Sequence, residues 1–194
     1  MARNRLQTEA RILLAVKEIL LRDGFPAIGI NAIARQSGCD KVLIYRYFGG
    51  LDGLLMAFSE TTELWWQADD MILESQAQIS QIKLPDYLQI LLKRHAETLQ
   101  TKPLTLEIMA WELSEQNNLT VALARVRAER GRTLVKKIRA CYQNPNIDIG
   151  GILGTFGAAI NYLVIRTRHS PPQHMTEEWW RLQHAIAKML EVYA

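Results

Sequence analysis

The chain has 194 residues, 48% hydrophobic and 22% charged, the profile of an ordinary folded protein rather than a disordered tail. Two cysteines, Cys39 and Cys141, exclude a disulfide framework or a zinc knuckle and suit a reducing compartment. The net charge of +3 is uneven: residues 1–50 carry eight Lys/Arg against four acids, residues 51–194 fifteen against sixteen, and on charge alone a basic end reads equally as a solvated surface or as the footprint of a nucleic-acid contact.

Hydrophobic periodicity is helical nearly throughout, and no strict alternation predicts a strand. Residues 4–22 place Ile12, Val16, Ile19 and Leu20 on one stripe, and Asp23-Gly24 followed by Pro26 stops that helix. At the N-terminal edge, Arg3 and Arg5 read as a plain disordered terminus, with a flexible basic arm as the alternative. A short helix fits 30–37, with Ile30, Ile33 and Ala34 inward. Ser37-Gly38-Cys39 is a tight turn, and Asp40 caps a second short helix over 41–47. Gly49-Gly50 breaks the chain where the charge balance changes, which places a domain boundary between 1–50 and 51–194.

Longer helices are predicted beyond the break. Residues 51–78 place Leu51, Leu54, Leu55, Phe58, Trp65, Ile72 and Leu73 at helical spacing. Helices follow from Pro85 to Thr101, from Pro103 to Gln116, and from an Asn117-Asn118 cap to Gln143. After an Asn144-Pro145-Asn146 turn comes helix 148–168, then a Ser170-Pro171-Pro172 loop and a last helix capped by Thr176. The fold class is all-α, with three short helices preceding about six longer ones. The longest uncharged run, Ile149–Ile165, reaches only the bottom of the transmembrane range of about 17–25 residues and contains four glycines, so it predicts a buried helix. Glu9, Arg11, Lys17 and Glu18 interrupt any apolar signal core, and a cytoplasmic location without membrane contact is expected.

Residues 30–48 read as helix, tight turn, helix, which is the helix-turn-helix pattern. Ile33, Ile44 and Phe48 pack inward on this reading, and Lys41, Tyr45 and Arg46 point away. Lys and Arg neutralise phosphates or bond guanine edges, and Tyr hydroxyls bond phosphate oxygens. The same stretch resembles the N-terminal domain of the TetR/AcrR family of transcriptional regulators. The resemblance rests on Ala15-Val16, Leu20, Gly24-Phe25, Ile33-Ala34, Ser37-Gly38, Ile44-Tyr45-Arg46-Tyr47-Phe48, Asp52 and Leu54-Leu55, and covers about a quarter of the chain.

This likeness implies a DNA-binding domain followed by an effector-binding and dimerisation domain. It implies a homodimer on a pseudo-palindromic double-stranded operator, most often a repressor, released when a small molecule fills the C-terminal part and helix 51–78 swings the N-terminal one. It places Asn31, Lys41, Val42, Tyr45, Arg46 and Tyr47 at or near DNA. Two residues depart from the family pattern: Leu43 where Thr or Ser is usual, and Leu51 where Lys is usual. Both remove polar backbone contacts and give the alternative its motive, a ligand-binding or scaffold protein of the same fold with lost operator recognition.

Trp65 and Trp179 fall on apolar stripes and read as core. Trp66, His95, Met109, Trp111 and Tyr162 form a candidate aromatic pocket for an apolar or cationic effector, with Glu112 and Asn161 as polar anchors. His169, His174 and His184 lack metal-ligand spacing, and Cys39 and Cys141 read as structural. Helix 119–142 carries Arg125, Arg127, Arg130, Arg132, Lys136, Lys137 and Arg139 and reads as a solvated face, with an anion-attracting surface for an acidic effector as the sharper alternative. The glycines of helix 148–168, with Trp180 or Tyr193, suit the dimer interface that the family builds from its last two helices. No phosphate-cradling glycine loop, nucleophile elbow or paired His-Glu-His motif appears, so neither an enzyme nor a metal or cofactor is expected.

Overall fold

A computed structural model of the chain describes residues 2–142, 147–169 and 176–193, with side chains from Arg5 onward and without that of Thr176. The Asn144-Pro145-Asn146 turn, the Ser170-Pro171-Pro172 loop, His174 and the side chains of Arg3 and Thr176 lie outside the described residues. The described residues form eleven α-helices and no strand, against about nine helices expected. They are α1 (Ala2–Asp23), α2 (Ile30–Ser37), α3 (Lys41–Phe48), α4 (Leu51–Thr61), α5 (Ala68–Met71) and α6 (Gln76–Ile79). These are followed by α7 (Leu84–Gln100), α8 (Pro103–Glu112), α9 (Asn118–Cys141), α10 (Ile149–Thr167) and α11 (Thr176–Leu190).

The chain divides into two compact units, residues 1–64 with 103–126, and residues 65–102 with 127–194. In the first unit α1 carries the stripe read from the sequence: Ile12, Val16, Ile19 and Leu20 are all buried. They meet Ile33 of α2, Ile44 of α3, Leu54, Leu55 and Phe58 of α4, and Ile108 of α8 in one apolar core. Helix α1 begins at Ala2, so Arg5 stands in a helix where a disordered terminus was expected. An ion pair to Glu9 one turn on, 2.7 Å, supports that first turn.

Between α3 and α4 the chain turns on glycine. A Cβ on Gly53 would run into the carbonyl oxygen of Phe48. Helix propensity alone says that Gly53→Ala stabilises by up to about 1 kcal/mol. Forcing backbone apart costs about 1–3 kcal/mol, so the expected net effect is a destabilisation of about 1 kcal/mol. A calorimetric melt checks it: a transition moving up would show that the contact yields freely.

In the second unit α7 is central, packed by α10 and α11 and flanked by α5. Tyr87, Leu88, Leu91, Ala96 and Leu99 of α7 are buried with Met71, Ile138, Ile160, Ile186 and Leu190. The predicted continuous helix over 51–78 is not formed. Helix α4 ends at Thr61, and α5 and α6 are single turns. The reason is burial: Leu64, Trp65 and Trp66 are all inside, and three successive residues span about 200° of a helix, wider than one buried stripe. Local caps fix the new starts. The Gln67 N–H donates to Asp70 Oδ2 at 2.7 Å, and Ser75 and Gln78 form a reciprocal capping box. Leu73, expected inward, is exposed.

An ion pair missed in the sequence ties this segment to α7. Arg94 donates to the Met71 carbonyl and to both carboxylate oxygens of Glu74, which also accepts from the Tyr87 hydroxyl at 3.3 Å. The Arg94 hydrogen bonds hold the Glu74 carboxyl at about 2, against an ordinary 4.5. A depressed carboxyl contributes stability above its unfolded value and loses it as pH falls toward the folded one. After discount for the solvent that reaches both side chains, the expected loss between pH about 4.5 and about 2 is about 2 kcal/mol. Denaturant titrations of wild type and Glu74→Gln across that range should converge toward acid; a constant gap would refute it.

The apolar run expected as a buried helix is α10, and only Ile149, Ile160 and Val164 of it are buried. It is long and apolar enough to cross a membrane by length and composition. On α11, Trp180 is 63% exposed and stacks on His184 with ring centroids 5.5 Å apart, and Met189 is exposed too. The last two helices therefore present apolar surface.

Candidate functional site

Helices α2 and α3 are built by local chemistry. Gly38 closes α2 at φ 62°, a left-handed conformation that residues with a Cβ resist, and its N–H reaches the Ala34 and Arg35 carbonyls. Asp40 starts α3 by accepting from the Val42 N–H at 2.9 Å. Ile33 and Ile44 bury the inner face. Lys41, Val42, Tyr45 and Arg46 are exposed, and their i, i+1, i+4, i+5 spacing puts them on one face of α3. Val42 is 61% and Tyr45 55% exposed, large apolar groups held in water by the helix register. Asn31, in the first turn of α2, is exposed as well.

Tyr47 stands apart from that set. It is half-buried, and the Arg5 guanidinium of α1 lies over its ring, 5.1 Å from the centroid. Leu43 and Leu51 are both half-buried, at positions where the family pattern has polar groups. Cys39 is buried in the turn, its sulfur accepting from Arg11 Nη2 at 3.1 Å. The exposed face of α3 thus offers one ammonium, one guanidinium, one phenol and one isopropyl group. Those are donors for phosphates and guanine edges and an apolar contact for a thymine methyl.

The second candidate group comes together only in part. Trp66 Nε1 donates to His95 Nδ1 at 2.9 Å, so the ring proton sits on Nε2, which donates to Asn161 Oδ1 at 2.9 Å. The chain of bonds joins the segment before α5 to α7 and α10. Trp65, Trp66 and His95 have ring centroids 5.6–5.9 Å apart. Burial pushes the His95 imidazole down to about 4, against the Asn161 hydrogen bond and with the Arg127 charge acting in the same downward sense. Arg127, grouped from the sequence with the basic residues of helix 119–142 and not with the aromatic group, has its guanidinium over Trp65, 5.9 Å from the centroid.

Met109, Trp111 and Glu112 belong to the first unit, apart from that group. Trp111 stacks on Phe25 at 4.1 Å, and Met109 is buried in α8. Glu112 is half-buried at the end of α8. Tyr162 is 60% exposed under the Arg166 guanidinium, because consecutive helical residues point about 100° apart and Asn161 takes the inward direction. Among the described residues, no three His, Cys, Asp or Glu side chains gather as a metal site would require.

This arrangement is the fold of the TetR-family transcriptional regulators, as three solved structures show. A candidate TetR-family regulator from Rhodococcus sp. is 17% identical, with a TM-score of 0.59 over 96% of this chain and 98% of that one. NalD, the secondary repressor of the MexAB-OprM multidrug efflux pump in Pseudomonas aeruginosa, is 16% identical, with a TM-score of 0.55 over 96% of each chain. A TetR transcriptional regulator from Agrobacterium tumefaciens is 19% identical, with a TM-score of 0.56 over 96% and 94%. No family model matches the sequence, and no curated protein matches it.

Proposed function

We propose that the chain is a one-component, DNA-binding transcriptional regulator of the cytoplasm, not an enzyme. On this reading it is a homodimeric repressor released from a pseudo-palindromic double-stranded operator by a small molecule. The observation that carries it is the exposed Lys41-Val42-Tyr45-Arg46 face of a capped second helix, in a fold shared with regulators that include a repressor. Residues 1–50 are the DNA-binding part, with Asn31 and Tyr47 flanking the recognition face, and 51–194 serve the effector and the dimer. Trp66, His95 and Asn161 are the nucleus of the effector site. Support for dimerisation through α10 and α11 comes from the outward apolar surface of α10 and from exposed Trp180 and Met189.

Two recognition helices of a dimer reach half-sites about 34–36 Å apart, or multiples of that, so an effector needs only to disfavour simultaneous docking. Its action is a coupling free energy between the two ligands. The test is an anisotropy titration with the duplex upstream of the chain's own gene and a scrambled duplex, each at two salt concentrations. Preferential binding that survives the higher salt supports the regulator. Equal binding erased by salt favours the second reading, a ligand-binding protein of this fold without an operator, for which apolar Leu43 and Leu51 speak.

A further inference from the structure

The polar groups around His95 do not balance. Each acceptor in the chain of hydrogen bonds is engaged: His95 Nδ1 takes the Trp66 N–H and one lone pair of Asn161 Oδ1 takes the His95 Nε2 proton. The donors are in surplus. Trp65 is 2% exposed, and its Nε1–H is buried without a hydrogen-bond partner among the described residues. Arg130 Nε, one helical turn beyond Arg127 on α9, is buried and unpartnered in the same way. An indole N–H can only donate, and so can a guanidinium. One face of the Trp65 ring already carries the Arg127 guanidinium, whose positive charge works against a second cation there.

We infer that the second unit recognises an apolar effector through an acceptor oxygen of a carboxylate, received by the indole N–H of Trp65, whose ring lies under the Arg127 guanidinium of α9, and discriminates against cations. The inference rests on the reading that this unit holds the effector. It replaces the apolar-or-cationic expectation for the aromatic group with a definite charge. A neutral carbonyl satisfies the indole but gains less from the arginines, so the carboxylate binds more tightly than its amide.

The experiment follows the tryptophan indole N–H signals of the full chain in proton–nitrogen correlation spectra. The probes are phenylacetate, naphthoate and decanoate, with the matching amides and amines. A carboxylate is expected to move the Trp65 signal saturably and more tightly than its amide, while the amines leave it unmoved. Trp65→Phe keeps the ring and removes the donor, and should weaken carboxylate binding about tenfold. If that variant does not fold, the wild-type signal is assigned through contacts of the Trp65 ring to the Arg127 side chain, which set it apart from Trp66, and the shift alone decides. The inference is overturned by an amine or amide that outcompetes its carboxylate, by a Trp65 signal blind to all carboxylates, or by undiminished binding to Trp65→Phe. No DNA enters this measurement, so a failure of operator binding and a failure of carboxylate recognition are read separately.

Discussion

Replacing Lys41, Tyr45 and Arg46 together by alanine is expected to weaken duplex binding about a thousandfold. Each good contact to a base edge is worth about 1–3 kcal/mol, and phosphate contacts add less, so three losses sum to about 4 kcal/mol. The cations carry a second signature. Each phosphate neutralised steepens the fall of log affinity with log salt by about 0.9, so losing Lys41 and Arg46 should flatten that slope by about two. All three side chains are exposed and face away from Ile44, so the melting transition should move little. Anisotropy titrations at several salt concentrations, with a melt of the variant beside them, provide the check. A folded variant that binds like wild type with an unchanged slope would remove α3 from the interface.

The second large effect is acid sensitivity through His95. Its imidazole titrates near 4 in the folded chain and near the ordinary 6.5 when unfolded. Between those values the unfolded chain binds the extra proton, so stability rises with pH there. It is complete above pH about 6.5 and is lost on acidification through about 4, a change of about 3 kcal/mol for a fully buried ring. His95→Gln cannot take up that proton and should show no slope over this window, although it starts from lower stability at neutral pH. Denaturant midpoints of both proteins from pH about 7 to about 4 settle it. Parallel curves would mean that His95 is already protonated, or solvated, in the folded state. The Glu74 effect enters only at lower pH, so the two losses separate on one axis.

Much of the recognition element was legible because it is written in local chemistry. Asp40 caps, Gly38 supplies a left-handed turn, and the pairing of Ile33 with Ile44 fixes which side chains of α3 face water. The break after Thr61 was not legible. Leu, Trp and Ile between residues 54 and 73 do fall at helical spacing, and only burial of the consecutive Leu64, Trp65 and Trp66 overrides it. The aromatic list failed for a related reason. A sequence shows which side chains are aromatic but not which partner each chooses, and Trp111 chose Phe25 while Trp66 chose His95. The basic run of α9 was legible, but nothing set Arg127 apart within it, since what singles it out is a ring that lies far away in sequence.

The first turn of α1 runs beside the recognition helix, with Arg5 resting on Tyr47. A polypeptide fused ahead of Ala2 would therefore emerge next to the surface proposed to meet DNA. An affinity tag placed there would act as a steric competitor, and a cationic one would add its own attraction for any duplex, whatever its sequence. Affinities compared between differently tagged preparations would differ through the tag alone. Specificity should accordingly be measured on protein from which every amino-terminal extension has been cleaved.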